Sequence, residues 1–427
     1  MAFLHEHIIL PLSDLLRGEQ VHKYLHLLRK AEYWTQKELD AFQQERLQLL
    51  FNHIAANVPF YREWFADTKL IPDEIKLQQL PIVSKSIMRQ EGIERFASDC
   101  YSKKERILSR SSGSTGEPFS FYETKVSYSV NMAAKLRTWY QAGYHLGDWY
   151  MKIANGKRPQ VLKQLQDIVN HCVYIPFYSL DDSALHEILA TIDKKRPKYI
   201  RSYPAPLHLL AKYRNDHKGQ YIHRPKHIFT TGSTLPDTYR NEIEQAFECD
   251  VIDSYSCEGT PNTYETSAHD GYHVTGYYGF IEILDSNNQP VTNGVGRVVS
   301  TDFWNMAHPF IRYDTQDLVE VRDGKITRIM GRECETLIEV DGTLITVHNF
   351  THYFADHFPS ISGWQVVKHR NNDITFRIVA DARFSDNEIL TIKDHWHRIL
   401  GTNINVVLVE QLPLMNNNKR LSIVEEQ

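Results

Sequence analysis

The chain has 427 residues, with 48 Lys and Arg against 53 Asp and Glu, a net charge of −5. At roughly 150 residues per domain this accommodates two or three domains, which can bury full cores without disulfides or structural metals. Apolar residues at 42%, with only 20 Gly and 17 Pro, exclude a fibrous or disordered chain, and the charge balance offers no case for nucleic-acid binding.

The N-terminus, MAFLHEHIILPLSDLL, lacks a basic leader, and its apolar run at 8–12 is too short for a signal peptide. No run approaches the 18 or so apolar residues of a membrane span. Five scattered cysteines (Cys100, Cys172, Cys249, Cys257, Cys334) form no CxxC pair and predict reduced thiols in a cytoplasmic protein.

Residues 36–57 carry Leu39, Phe42, Leu47, Leu50 and Ile54 on one helical face. A short strand-like stretch, Ile107–Leu108, leads into a Ser/Gly loop, and 124–142 reads as a helix. Strand-like segments then follow at 149–154, 172–177, 198–203, 227–231 and 250–255. Helical stretches at 183–195, 206–216 and 238–247 lie between them. That alternation predicts βαβ units and a parallel sheet flanked by helices. After 271 the chain becomes β-rich, with a hairpin expected at Asp341-Gly342. The remainder reads as a small α+β domain of about 90 residues. The fold class expected is therefore α/β: a large N-terminal domain over 1–330 and a small C-terminal domain over 331–427.

Common signatures fail: there is no GxxxxGK[ST], no complete dinucleotide fingerprint, no HExxH and no GxSxG. Three clusters remain. Ser111-Ser112-Gly113-Ser114-Thr115-Gly116-Glu117-Pro118 supplies hydroxyls and flexible backbone able to curl round an anion, or forms a polar hairpin loop. Phe310 to Asp317 (FIRYDTQD) places a carboxylate able to accept both ribose hydroxyls, or a structural Arg–Asp pair. Asp253 to Gly259 (DSYSCEG) ends a predicted parallel strand, where open α/β sheets bind ligands. A tyrosine there can stack on a base, and a glutamate can hold Mg²⁺ between phosphates.

In this order the segments resemble the adenylate-forming ligases, and within them the phenylacetate–CoA ligase family, including relatives associated with capsular polysaccharide loci. NHIAANVPFYREWF, SSGSTGEP, YPAPLHLLAKY, TTGSTLPDTYRNEIEQAFECDVIDSYSCEG, HPFIRYDTQDL, IMGRECE and NNNKR carry the resemblance along nearly the whole chain. It implies that Ser112, Gly113, Ser114, Thr115 and Gly116 close over the β,γ-phosphates, Thr115 being counted among the catalytic groups. Gly232, Ser233 and Thr234 would border the adenine, with Ser254 and Tyr255 beside it. Glu258 would help place Mg²⁺ through ATP, and Asp317 would hold the ribose. Arg332 and Glu335 would form the hinge of a mobile C-terminal domain, and Lys419 would bridge the carboxylate and α-phosphate.

This sequence departs from the family pattern in places. Two residues, not three, separate Tyr255 from Glu258, so strict register puts Ser254 in the tyrosine place and Cys257 in the threonine place. Glu335 stands where aspartate is usual, and Asn418 replaces the glycine before the lysine. No Cys-x-Cys precedes the hinge, and Glu265 rather than cysteine stands ahead of Gly271-Tyr272-His273, so no zinc is expected.

The expected function is an AMP-forming ligase using ATP and Mg²⁺, with coenzyme A as the acyl acceptor. The alternatives are an amide-forming ligase or adenylyltransferase of capsular or surface polysaccharide, and a nucleotide-binding protein without catalysis. Expected partners are a small carboxylic acid and a thiol or amine acceptor, with no nucleic acid, no membrane span and a homodimer allowed. The aromatic stretch at 139–156 is either near the acid pocket or core.

Overall fold

The computed structural model describes residues 2–110, 119–155, 167, 170–177, 182–233, 235–331, 338–340, 343–345, 350, 353–354, 357–358, 360–412 and 423–425. The expected helix over 36–57 spans Gln36–Asn57 and opens with a capping box: Thr35 accepts from the backbone of Glu38, whose carboxylate reaches back. Its inner face buries Leu50, Phe51 and Ile54 in a core shared with Tyr61, Phe96, Phe310 and Tyr313. Ahead of it lie two helices the sequence analysis passed over, Leu10–Arg17 and Val21–Ala31. The second packs Val21, Tyr24, Leu25 and Leu28 against Val130, Ala133 and Ala134 of the Lys125–Gln141 helix.

A short strand β1 (Val83–Ser84) and a hairpin of β2 (Ile107–Arg110) and β3 (Ser120–Glu123) come next, Arg110 pairing with Ser120. The main sheet then forms from β4 (Tyr150–Asn155), β5 (Cys172–Phe177), β6 (Tyr199–Ser202), β7 (His227–Thr231) and β8 (Asp250–Tyr255). Each of these five expected strands is present within a residue or two of its expected bounds. They run parallel in the order β8-β7-β6-β4-β5. The helices Asp182–Lys195, Pro204–Asp216 and Asp237–Phe247 connect β5 to β8. Their apolar stripes bury Leu185, Leu189, Leu207, Leu210, Ile243 and Phe247 against Met151, Ile153, Ile200, Ile228 and Val251.

The β-rich part extends the same sheet. Strands β9 (Thr263–Glu265), β10 (Tyr272–Val274), β11 (Gly279–Leu284), β12 (Gly294–Asp302), β13 (Tyr313–Arg322) and β14 (Lys325–Gly331) add antiparallel in the order β11-β12-β13-β14-β10-β9-β8, and β1 pairs with β13. Strands β15 (Ile338–Val340) and β16 (Thr343–Ile345) pair antiparallel, Val340 with Thr343, and the expected turn residues Asp341-Gly342 lie outside the described residues.

The C-terminal part forms a smaller sheet of β17 (Ile361–Lys368), β18 (Ile374–Ala380), β19 (Ile404–Leu408) and β20 (Ile423–Glu425), ordered β19-β18-β17-β20. With the Asp386–Leu400 helix it has its own core of Phe350, Trp364, Phe376, Ile378 and Trp396. The α/β class with a large helix-flanked sheet and a smaller C-terminal sheet is therefore present. No described helix is long and apolar enough to cross a membrane.

Candidate active site

Adjacent parallel strands bring their carboxyl ends together, and three of those ends carry the expected residues. After β6 comes Tyr203, after β7 come Gly232 and Ser233, and β8 ends in Ser254 and Tyr255. Gly232 takes φ +82°, and a Cβ there would lie 2.8 Å from the Tyr203 ring, so only glycine lets this turn pass beside the aromatic. Ser254 donates its hydroxyl to the Thr230 carbonyl at 3.0 Å, holding β8 to β7. Tyr255, on the opposite face of the strand, donates to Asp317 Oδ2 at 2.8 Å.

That contact joins distant parts of the sheet. Asp317 lies on β13, four strand steps from β8, or about 19 Å in a flat sheet with strands about 4.8 Å apart. A 2.8 Å bond requires the sheet to curl so that its antiparallel part faces the ends of its parallel part. Asp317 is buried at 7% exposure, and its own N–H donates to Thr315 Oγ1 at 3.1 Å. Burial, reinforced by the Asp317 carboxylate, raises the Tyr255 phenol pKa well above its usual value, so it remains a donor.

The arginine of the same motif does not enter the site. Arg312 makes two bonds to Glu282, at 2.9 and 3.0 Å, and two more to the Gln78 and Leu80 carbonyls, each at 2.9 Å. It is a buried clamp between β11 and the segment before β1. Asp314 pairs instead with Arg297 at 3.2 Å.

Behind β8, Asp253 accepts from Thr230 Oγ1 at 2.6 Å and from the Tyr272 hydroxyl at 2.7 Å. Burial pushes its pKa up to about 6. Its N–H donates to Glu265, which Arg240 grips with two bonds at 2.6 and 2.8 Å. Beyond β8 the chain turns at Cys257, whose carbonyl accepts from Thr260 Oγ1 at 2.6 Å. Gly259 follows at φ +70°, and any Cβ there would be driven into Phe310.

This turn forms one wall of a cavity of about 230 Å³. Ser256, Cys257, Glu258 and Gly259 line it from one side, and Ser127, Asn131 and Lys135 from the Lys125–Gln141 helix. Phe121 and Glu123 of β3, with Tyr278, Asp302, Asn305 and Phe310, complete it. Asp302 accepts from the Trp304 N–H at 2.6 Å, and burial pushes its pKa up to about 6. Lys135 lies on the same electrostatic ledge. Burial, and secondarily Arg201, push its pKa down to about 8, against the attraction of Glu123 and Glu258. Among the described residues no three His, Cys, Asp or Glu side chains gather at metal-ligand spacing.

Of the residues the sequence analysis singled out, Gly232, Ser233, Ser254, Tyr255, Glu258 and Asp317 therefore gather around the strand ends and the cavity. Ser112, Gly113, Ser114, Thr115, Gly116, Thr234, Arg332, Glu335 and Lys419 lie outside the described residues. The sequence analysis missed Glu123, Asn131, Lys135, Tyr278 and Asp302. A signal was present for some of them: Ser127, Asn131 and Lys135, four residues apart, form a polar stripe on a helix that otherwise buries Val130, Ala133 and Ala134. Trp139 and Tyr144, from the aromatic stretch at 139–156, pack with the core rather than line the cavity. Tyr144 is 2% exposed, and Trp139 stacks on Phe229 with ring centroids 5.0 Å apart.

No protein-family model matches the chain. Over 407 residues it is 24% identical to protein CapK of Staphylococcus aureus, a match covering 90% of this chain and 87% of CapK. It also matches the crystal structure of 2-hydroxyisobutyryl-CoA ligase in complex with 2-HIB-AMP and CoA in the thioesterification state. That match has a TM-score of 0.56 at 18% identity and covers 92% of this chain and 91% of that chain. The same ligase in the postadenylation state with R3-HIB-AMP gives 0.53 at 17% identity, covering 90% and 88%. The chain has the adenylate-forming ligase fold. The large helix-flanked sheet and the smaller C-terminal sheet are its two parts.

Proposed function

We propose that the chain is an AMP-forming ligase that activates a carboxylic acid with ATP and passes the acyl group to coenzyme A. The observation that carries this reading is the Tyr255–Asp317 pair, placed at the strand ends beside a polar cavity that Glu258 borders. An ionised carboxylate accepts several hydrogen bonds at once, the chemistry a ribose hydroxyl calls for. The TM-score of 0.56 to a CoA ligase supports the reading at the level of fold.

The proposed chemistry follows from charge. The substrate carboxylate attacks the α-phosphorus, the bond to pyrophosphate breaks, and an acyl-adenylate forms. Two anions must approach, so both need neutralising. Lys419 is assigned to bridge the carboxylate and α-phosphate, while Ser112 to Gly116 hold the departing pyrophosphate. Mg²⁺ would add cationic screening of the phosphates. Glu258 fits as its protein contact, offering a hard oxygen on the cavity wall. Asp317 orients the ribose, with Gly232, Ser233, Thr234 and Tyr255 at the adenine. The acceptor thiol then attacks the acyl carbon, AMP leaves and the thiol proton is released. We place the division between the two parts after residue 330, with Arg332 and Glu335 at the hinge about which residues 331–427 turn between the two steps.

A second reading replaces the thiol by an amine or sugar acceptor of surface polysaccharide synthesis. The likeness to CapK over 90% of the chain favours it. ATP–pyrophosphate exchange across a library of carboxylic acids tests the shared first step, and exchange with none would leave a nucleotide-binding protein without catalysis. Coenzyme A against amine acceptors then separates the two readings.

A further inference from the structure

Two of the carboxylates that line the cavity beside Glu258 are already supplied with donors. Asp302 accepts from the Trp304 N–H at 2.6 Å, the Asn305 N–H at 3.3 Å and the Tyr278 hydroxyl at 3.4 Å, and Glu123 accepts from the Ser109 hydroxyl. The third, Glu258, is the one assigned above to the nucleotide's metal. The lining cation is in the opposite position. Lys135 feels the attraction of Glu123 and Glu258, yet among the described residues no acceptor is hydrogen-bonded to its ammonium, which offers three donors.

A second cation stands close to it. Lys135 and Trp139 are four residues apart and share one face of the Lys125–Gln141 helix. Arg201 of β6 lies over the Trp139 ring, its guanidinium carbon 5.4 Å from the centroid. Trp139 stacks in turn on Phe229, the β7 residue in register with Arg201. Arg201 is near enough to Lys135 to oppose its protonation, and near enough to Tyr203 to act on that phenol beside the Gly232 turn. Among the described residues Arg201 has no carboxylate partner either; its described contact is the Trp139 face.

Two like charges are thus held half-buried at the same place, between the cavity and the strand ends. Each raises the cost of the other, and an anion beside them relieves the repulsion and takes up the unmet donors. An alkyl or aryl group covering them would strip their water and return no acceptor. In the proposed mechanism Lys419 already serves the reacting carboxylate, which leaves this pair for a second anionic group. At about 230 Å³ the cavity lies below the usual range of about 300–1,000 Å³ for drug-sized ligands, so the occupant is small.

We propose that Lys135 and Arg201 seat a second carboxylate of the acid substrate, so that the substrate class is the small dicarboxylic acids. The inference rests on the ligase reading above and names its substrate class.

The test uses the full wild-type chain in ATP–pyrophosphate exchange at about pH 7.5. Malonate, succinate and glutarate are compared with propanoate, butanoate and pentanoate, which match them in chain length and lack the second charge. Monomethyl succinate keeps the size and loses the charge, 4-aminobutanoate reverses it, and phenylacetate is the aryl case. The expected result is a kcat/KM for the best dicarboxylate at least about tenfold above every other class, the size of one charge-assisted hydrogen bond. Lys135→Met and Arg201→Met should each cut that preference about tenfold, chiefly through the KM for the dicarboxylate. Exchange led by a monocarboxylate, the ester, the amino acid or the aryl acid would overturn the inference and leave the ligase reading standing. Exchange with no acid would overturn both. Should neither variant fold, the wild-type panel decides by itself, and folded variants with unchanged preference would refute the placement of the second carboxylate.

Discussion

Removing the Tyr255 hydroxyl tests the most specific contact in the site. Tyr255→Phe keeps the ring, and with it any stacking on a base, while deleting the 2.8 Å bond to Asp317 Oδ2. Asp317 is 7% exposed, so little water replaces the lost donor. A hydroxyl-to-carboxylate bond in such a setting contributes about 1.5–3 kcal/mol. Part of this should appear as lost stability and part as lost aim of Asp317 at the ribose. The assay is the ratio of kcat/KM for ATP to that for 2′-deoxy-ATP in pyrophosphate exchange, with urea unfolding run alongside. Tyr255→Phe should lower the ratio about tenfold, as should Asp317→Asn. The double variant should be little worse than either, giving a coupling of at least about 1 kcal/mol. Additive effects, or an unchanged ratio in Tyr255→Phe, would separate Tyr255 from ribose recognition and refute the argument.

Three further outcomes are expected. Gly259→Ala meets both φ +70° and the Phe310 ring, so it should displace the Glu258 turn and lower exchange activity by about 10²-fold or more, with a fall in Tm; wild-type activity would show that the turn relaxes freely. His308 is 0% exposed among Phe96, Phe119, Phe121 and Phe310, has no partner at either ring nitrogen, and is held neutral by burial to a pKa of about 3. Because the unfolded imidazole gains its proton below about 6.5 and the folded one does not, stability falls with pH. His308→Leu should therefore gain roughly 2–3 kcal/mol on wild type between about pH 6.5 and 4.5 in urea titrations, and a constant difference would contradict the burial argument. Lys419→Ala should slow adenylate formation at least about 10²-fold and leave transfer from a supplied acyl-adenylate nearly unchanged, whereas equal slowing of both steps would indicate misfolding of the C-terminal part.

The parallel half of the fold was legible because its strands carry apolar runs, most deeply buried in β6 to β8, and are separated by helices with apolar stripes. The Val21–Ala31 helix was not read, although Val21, Tyr24, Leu25 and Leu28 repeat at helical spacing. Its histidines, lysines and arginine interrupt the apolar stripe that a sequence window registers. The local motifs at 254–258 and 312–317 contain residues that the structure brings together, Tyr255 and Asp317 by their 2.8 Å bond. Site residues were not legible where the cavity depends on the sheet's curl. Nothing near Lys135 or Glu123 in sequence shows that the Lys125–Gln141 helix and β3 face the Glu258 turn. The arginine of FIRYDTQD shows the opposite limit: a local motif suggested a pair with aspartate, and the distant Glu282 holds it instead.

The segment 253–260 explains how the shortened Tyr–Glu spacing can still serve one site. Its first residue is fixed from behind by Thr230, Tyr272 and the Arg240–Glu265 pair, and its end by the Cys257–Thr260 turn and the Ser300 bond to the Gly259 carbonyl at 3.0 Å. Between these anchors Tyr255 faces Asp317 and Glu258 faces the cavity. Strand pleating directs Ser254 to the β7 backbone, so Tyr255 supplies the aromatic at the strand end whichever residue occupies the family's tyrosine place. Both ends of the proposed reaction then hang on one rigid piece of backbone, and a ligand seated at either end meets groups positioned before it arrives. A substitution that loosens either anchor should therefore weaken nucleotide and acid recognition together.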